Sequence, residues 1–309
     1  MIIIEKLYNL KKNVVKYWKM YFTIEGTYTS LLPDRIYLKK LYKKRMGEEL
    51  NLKAPKSYTE KLNWLKLHDR NPAYTLMVDK FGVREYISEK IGEEYLVPLI
   101  GSWSSVEDID FTQLPNEFVL KCNHDNGIIV CNNKENLDVD NVKKELQFHL
   151  NRDYYKKARE WPYKNVDRKI ICEQFMKNTD GDPLVDYKLF CFNGVPRFVM
   201  VNSDRFSKDT KLKTDIYDME WNYMNMQDGP YPMAGDVFEK PECLEEMRFL
   251  AEKLSKGIPF VRVDFNYWNK QLYFGELTFY HSAGFESFQP KEWDNKLGEW
   301  LKLPAKNSR

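Results

Sequence analysis

Val261-Arg-Val-Asp-Phe265 and Gln271-Leu-Tyr-Phe-Gly-Glu-Leu-Thr-Phe279 are two apolar runs separated by a stretch containing Tyr267-Trp-Asn-Lys270. They read as two paired β-strands. Asp264 stands at the end of the first. Glu276 and Thr278, two residues apart, share one face of the second. Three oxygen-bearing side chains on adjacent strands can converge on a hard cation such as Mg²⁺, which takes a carboxylate or two together with substrate phosphates. Two acids that close repel, so a cation or Arg262 must compensate. The alternative is a cross-strand pair of Arg262 and Glu276 with Asp264 at the surface.

Working outward, strands dominate the C-terminal two-thirds. Asp186 to Phe192, the turn Asn193-Gly194, and Pro196 to Val201 form a hairpin. Asp186 and Lys188 share a face there, as an internal salt bridge or as ligand contacts at a cleft. Glu117 to Cys122, a polar turn, and Ile128 to Cys131 form a second hairpin. Its Lys121 and the Asn123-His-Asp-Asn-Gly127 turn suit a phosphate, because exposed backbone N–H groups and an ammonium both attract anions. An ordinary turn with an edge lysine explains the same residues. Short strands are also expected at 95–100 and 169–176, and helices at 138–160 and 242–256. Residues 206–240 read as a long irregular loop. Trp221 and Tyr223 within it could stack on a sugar or pack the loop down. From Ser282 the tail is polar and aromatic.

The first 92 residues read as almost wholly helical. One helix follows Pro33 and runs to about Arg45. Ser57 caps another, with Glu60 three residues on in capping-box spacing. Asn71-Pro72 opens a further pair ending near Gly92. Residues 2–22 form a basic amphipathic pattern that suits either an anionic membrane surface or docking on the protein itself. Residues 1–70 hold 16 basic and 7 acidic side chains, net +9, which leaves −7 for the rest of a chain whose total is +2. That balance argues against a nucleic-acid binder. Five cysteines with no CxxC pair indicate buried thiols in a reducing compartment. No stretch reaches the roughly 20 apolar residues of a membrane span, so a cytoplasmic protein is expected, at the inner membrane face if 2–22 binds lipid.

Five stretches occur in an order that resembles a known superfamily. They are Tyr58-Thr-Glu-Lys-Leu-Asn-Trp-Leu-Lys-Leu67, Asp79-Lys80 with Val83-Arg-Glu-Tyr86, Phe118-Val-Leu-Lys-Cys-Asn-His-Asp-Asn-Gly127, Asp186-Tyr-Lys-Leu-Phe-Cys-Phe-Asn-Gly194 and Phe274-Gly-Glu-Leu-Thr-Phe279. Residues 75–290 resemble the ATP-grasp superfamily. Residues 55–303 resemble its TupA-like family from bacterial cell-surface polysaccharide loci. The resemblance implies an α+β fold: a basic helical region at 1–70, a pre-grasp region at 71–115, a lid subdomain at 116–176, and a C-terminal antiparallel-sheet domain at 177–309. ATP would lie between two antiparallel sheets. Lys80 and Lys121 then match phosphate-contacting lysines, and Asn123, His124, Asn126 and Gly127 the phosphate-covering loop. Glu173, Gln174, Phe175 and Met176 match the adenine hinge, and Asp186 the ribose-contacting acid. Lys188, Arg205 and Arg262 make up the catalytic set facing the reacting phosphate or acceptor. Asp264 and Glu276 match Mg²⁺ ligands, with Thr278 where an Asn is common.

The resemblance implies an ATP- and Mg²⁺-dependent carboxylate–amine ligase with a small-molecule or saccharide acceptor. The alternative is a glycosyltransferase of a polysaccharide locus; Asp108-Ile-Asp110 has the Asp-x-Asp form such an enzyme would use, but reads as a surface turn before Phe111.

Overall fold

The computed structural model of the chain describes residues 32–176, 184–203 and 213–305. The pattern at 2–22 and Arg205 lie outside them. Helix α1 (Asp34–Met46) buries Tyr37, Leu38, Leu41 and Tyr42 along one stripe. It ends where Gly47 turns left-handed (φ 75°) and donates to the Lys43 carbonyl. Helix α2 (Tyr58–His68) opens with the expected capping box: Ser57 Oγ accepts from the Glu60 N–H, and the Glu60 carboxylate accepts from the Ser57 N–H. Helices α3 (Ala73–Val78) and α4 (Val83–Lys90) follow.

A four-stranded antiparallel sheet comes next, built from β1 (Leu99–Trp103), β2 (Phe118–Cys122), β3 (Ile128–Cys131) and β4 (Ile170–Gln174) in the order β1-β4-β2-β3. The strand expected at 95–100 is displaced; Glu93–Tyr95 is a single 3₁₀ turn. Lys121 therefore sits on an interior strand. One face of this sheet, with Phe118, Leu120, Cys122 and Cys172, packs on Val142, Leu146 and Leu150 of α5 (Val139–Asn151). The other carries Val119, Lys121, Ile128, Val130 and Glu173. The helix expected over 138–160 is interrupted: Asp153 caps a separate α6 (Tyr154–Ala158), accepting from the Lys156 N–H.

The larger antiparallel sheet comprises β5 (Val185–Phe192), β6 (Val195–Ser203), β7 (Lys213–Asp218), β9 (Phe260–Trp268) and β10 (Gln271–Thr278), ordered β10-β9-β5-β6-β7. A two-stranded sheet pairs β8 (Gln227–Asp228) with β11 (Phe288–Gln289). Strands β7 and β8 thus lie inside the stretch read as irregular. Strand β9 runs past Asp264 to Trp268, so Asp264 is mid-strand. The last strand pair turns on Asn269 and Lys270, both at positive φ. Helix α7 (Leu244–Ser255) covers one face of the large sheet, meeting β5, β6 and β9 with Leu244, Met247, Leu250, Ala251 and Leu254.

The opposite face is divided. At one end Phe190, Phe192, Phe198 and Phe260 form an aromatic cluster with Tyr58 and Phe288. Each such pair adds about 0.5–1.5 kcal/mol beyond burial, so Tyr58 pins α2 to the sheet. At the other end the same face is polar. Helix α8 (Glu292–Trp300), a helix the tail's polar texture concealed, closes the aromatic end. Its Asp294 accepts from the Thr59 N–H and hydroxyl at 3.1 and 3.0 Å, and Lys61 Nζ donates to the Gly298 carbonyl at 2.7 Å. A Cβ at Gly298 would overlap the Lys56 carbonyl oxygen. Gly298→Ala is therefore expected to cost about 1–3 kcal/mol by overpacking, read as a lower urea midpoint at unchanged m-value. An unaltered midpoint would show that the α2–α8 contact yields freely.

Candidate active site

The polar end of the large sheet is one connected network. Arg262 grips Asp264 with Nε to Oδ1 at 2.7 Å and Nη2 to Oδ2 at 2.6 Å. Lys188 Nζ reaches Asp264 Oδ2 at 2.7 Å and Asp186 Oδ2 at 2.8 Å. Asn202 donates to Asp186 at 3.4 Å, and Thr214 to Asn202 at 3.1 Å. On the other flank, Arg262 Nη2 and the Thr278 hydroxyl each donate to Glu276 Oε1 at 3.2 Å. The Arg262–Glu276 contact foreseen as an alternative is present, but Asp264 is buried rather than at the surface.

Two irregularities make this convergence. Counting from the Asn269-Lys270 turn, Glu276 would pair with Val263 and face α7. A bulge between Phe274 and Glu276 shifts the pairing, so Glu276 stands opposite Asp264. Gly275 sits in that bulge, where a Cβ would lie 3.1 Å from the Asp264 carbonyl oxygen. A second bulge between Phe190 and Cys191 likewise sets Asp186 opposite Asn202.

His281 completes the setting of Arg262. Its Nδ1 lies 2.9 Å from Arg262 Nη1, and its Nε2 lies 2.9 Å from Asp228 Oδ1. A guanidinium can only donate. Nδ1 therefore accepts, and the proton sits on Nε2, donated to Asp228. Asp228 comes from β8, so the 213–240 stretch reaches the site through this imidazole. No pattern along the chain marks Asp228, Asn202 or Thr214, because their partners lie on other strands.

Burial works against the charge on Asp264, but Arg262 and Lys188 outweigh it and hold the carboxyl at about 2. For Glu276, desolvation and Asp264 oppose ionisation, while Lys80, Arg262 and Lys188 prevail and lower it. Asp228 is lowered too, against its burial, by His281 first and then Arg262. Both proposed metal ligands are thus anionic. Among the described residues no group of three or more His, Cys, Asp or Glu is arranged to hold a metal. Two facing carboxylates and a hydroxyl remain a fitting donor set for Mg²⁺, which completes its shell with water and phosphate oxygens.

Across the cleft, Lys121 pairs with Glu173 at 2.5 Å, and Arg84 approaches the same carboxylate at 3.5 Å. Lys80 Nζ donates to the Asp125 carbonyl at 2.9 Å. Its pKa is lowered, by burial first; Glu276, Asp125 and Glu173 act in the opposite sense, and Lys121 with the burial. The Lys80 ammonium thus feels carboxylates from both lobes. The 123–127 turn is held from within. Asn123 bonds Asp79, Asp167 and Lys169, His124 Nε2 lies 3.1 Å from the Arg152 carbonyl, and Asp125 pairs with His149 and Arg152. The side chains of Asn123 and His124 therefore point inward, while Asn126 is exposed and its N–H donates to Asp125 Oδ1 at 2.6 Å. A Cβ at Gly127 would overlap the His149 ring. Gln174, Phe175 and Met176 follow at the accessible end of β4. Trp221 stacks on Tyr217 at 4.4 Å and bonds the Phe238 carbonyl, so it packs the loop. Asp110 caps its own turn at Thr112.

The model of the TupA-like ATP-grasp family matches residues 60–302. Among solved structures, the chain is similar to a D-alanine–D-alanine ligase from Bacillus anthracis (14% identity, 66% of this chain, 57% of that one, TM-score 0.41). It is also similar to the D-cycloserine synthetase DcsG (12%, 75% and 72%, TM-score 0.41). A third is the ATP-grasp ligase PsnB in complex with a precursor variant, Mg and ADP (8%, 79% and 65%, TM-score 0.42). The chain spans little more than half the length of the Bacillus anthracis ligase. No curated protein matches.

The depressed Asp264 carboxyl makes stability pH-dependent. Its folded value of about 2 lies below the ordinary 3.8, so its stabilisation is complete above about pH 4 and is lost as pH falls through about 2. The shift corresponds to roughly 2 kcal/mol. Asp264→Asn leaves Arg262 and Lys188 buried without their partner, and is expected to cost about 3–5 kcal/mol at neutral pH. Its stability should also vary less than the wild type's across that acid window, measured by denaturant melts at stepped pH. His281→Phe removes both ring hydrogen bonds and is expected to cost about 1–3 kcal/mol by the same measurement.

Proposed function

The chain belongs to the TupA-like ATP-grasp family, and on that premise we propose that it is an ATP-dependent carboxylate–amine ligase acting in bacterial cell-surface or capsular polysaccharide biosynthesis. The observation that carries this reading is the facing carboxylate pair, Asp264 and Glu276, flanked by Arg262 and Lys188 on one side of the cleft and by Lys80 and Lys121 on the other. Chemistry that moves a phosphoryl group needs little more than positioning and neutralisation of charge. The cleft supplies fixed cations, of which Lys188 and Arg262 are nearly closed to water and so act strongly.

In this reading Lys80 and Lys121 bind the ATP phosphates, beneath the backbone of the 123–127 turn. The apolar Val119, Ile128 and Val130 offer a surface to the purine, with Glu173 to Met176 at its edge. Asp186 stands towards the ribose. Asp264 and Glu276, with Thr278 beside them, would hold Mg²⁺, which when bound offsets charge on the phosphate oxygens. Lys188 and Arg262 orient the acceptor carboxylate. Its oxygen bonds to the γ-phosphorus as the bond to ADP breaks. An amine then bonds to the acyl carbon as phosphate leaves. Arg205 would add a further cation to this set.

Thermal shift with ATP–Mg²⁺, set beside UDP- and GDP-sugars, tests the nucleotide. Stabilisation by ATP alone is expected; stabilisation by a sugar nucleotide and not by ATP would sink the ligase reading in favour of glycosyl transfer. ATP consumption screened against uronic acids and amino acids would then identify the acceptor. With that acceptor, Glu276→Gln is expected to lower turnover at least a hundredfold (~2.7 kcal/mol) while the unfolding midpoint stays close to wild type. Full activity in Glu276→Gln would remove it from the site.

A further inference from the structure

Helix α2 carries a buried polar stripe. Thr59, Asn63 and Lys66 are spaced four and three residues apart, so they share one face, and all three are closed to water. Thr59 holds Asp294 of α8. Asn63 Nδ2 donates to the Gly284 carbonyl at 2.7 Å and to the Thr59 carbonyl at 2.9 Å. Lys66 Nζ has three donors and uses them on the Ala283 carbonyl at 2.6 Å, the Ala158 carbonyl at 2.9 Å and Asn63 Oδ1 at 3.3 Å. These acceptors are neutral. The counter-charge is the buried Glu160 carboxylate, two residues beyond Ala158: burial lowers the Lys66 pKa, and Glu160 opposes it. Packing alone does not call for an ammonium at this place, since an apolar side chain of similar volume often serves as well as a buried ion pair.

What the stripe holds is a strained turn. After β10 the chain passes His281 and then takes Ser282, Ala283 and Gly284 in succession at φ 47°, 51° and 67°. The left-handed region is unfavourable for any residue with a Cβ. Two such residues side by side persist only where the surroundings over-determine them. Here the Ala283 and Gly284 carbonyls are fixed by Lys66 and Asn63. Close approach also demands Gly284, where a Cβ would lie 3.0 Å from Asn63 Nδ2 and 3.2 Å from Leu62 Cβ. The turn begins at His281, whose Nδ1 accepts from Arg262 at 2.9 Å. Phe288 stacks on that imidazole at 5.5 Å and Phe190 meets it edge-on at 4.9 Å. These rings fix the plane of the imidazole. Where it sits within that plane depends on the backbone that carries it.

We propose that Lys66 and Asn63 are positioning residues of the active site: from the buried face of α2 they hold the Ser282–Gly284 turn left-handed, and so set His281 against Arg262. The ligase reading supplies what Arg262 then orients, the acceptor carboxylate. The geometry itself needs no ligand. Helix α2 thus acts on the reaction through two backbone carbonyls and one imidazole, without touching substrate.

The test follows the imidazole in the full chain, labelled with ¹⁵N-histidine and free of nucleotide. The chain has four histidines, and the His281 ring nitrogens are those missing from the spectrum of His281→Phe. In the wild type they are expected to be widely separated, as for one tautomer with its proton on Nε2. Lys66→Met removes both carbonyl contacts at nearly constant volume. The two His281 nitrogens are then expected to converge as the fixed tautomer is lost, together with a lower unfolding midpoint. If Lys66→Met does not fold, Asn63→Asp carries the test: it keeps the side-chain shape and gives Lys66 a carboxylate, but has no donor for the Gly284 carbonyl. The same convergence is expected. Unmoved His281 nitrogens in the folded variant, whatever its midpoint, would leave the stripe a purely structural role and overturn the proposal. Once an acceptor is identified, the folded variant is expected to lose at least tenfold in kcat with the KM for ATP unchanged, and an unaltered kcat would equally overturn it. Absence of ATP turnover in the wild type with every acceptor screened would sink the ligase reading and leave the imidazole result standing.

Discussion

Arg262 and Asp264 stand two residues apart on the second strand of the large sheet, both nearly closed to water and joined by two short hydrogen bonds. Neither charge could be buried there alone. Their pairing decides what the surrounding positions must be. Asp264 has charge enough for a second cation, which Lys188 supplies; Lys188 in turn needs Asp186, and Asp186 takes Asn202. Arg262 has donors left over after Asp264, and these fall to Glu276 and to His281, which needs Asp228. With Thr214 of β7 on Asn202, six strands and the 3₁₀ turn His281–Gly284 thus contribute to a single chain of hydrogen bonds. A buried network of this kind gains little stability over an apolar core of the same shape. What it secures is a fixed arrangement of charge in a cleft.

The rest of the fold isolates that arrangement. One face of the sheet is sealed by α7 in the ordinary way. The other is shared between an aromatic cluster and the charged network, and the helices α2 and α8 close over the aromatic half alone. The charged half is left to face the smaller sheet, whose own inner face is packed against α5 and whose outer face carries Lys121 and Glu173. Two sheets with unlike faces towards each other make a cleft that is polar at its floor and apolar along the side formed by Val119, Ile128 and Val130.

Much of this was legible along the chain. Capping at Ser57 and Glu60, the Asn193-Gly194 turn and the strand pair holding Asp264 and Glu276 are local signals, set by turn chemistry and side-chain alternation over a few residues. Local signals failed where neighbours in space supplied the order. Strand β7 is held against β6, and the loop after it by Asp215, whose carboxylate accepts from four successive N–H groups at Ala234 to Val237. Helix α8 is anchored by Thr59 and Lys61, more than 200 residues away in sequence. A polar texture at either place says nothing of such partners.

By itself the sequence determined the two hairpins and the change from helical to strand texture, because these follow from patterns repeated every two or every three to four residues; the fold class and most of the charged side chains of the cleft were legible only through the five stretches that resemble the family. It could not determine which way those charges face. A single extra residue at Gly275 reverses the face on which Glu276 lies, and the bulge at Phe190 does the same for the partner of Asp186. Alternation carries no record of such a shift. The tertiary structure alone also decided that Asn123 and His124 turn inward and that His281 sets Arg262. Each depends on groups brought together from distant parts of the chain, where burial makes an unmatched charge expensive and so makes the match specific.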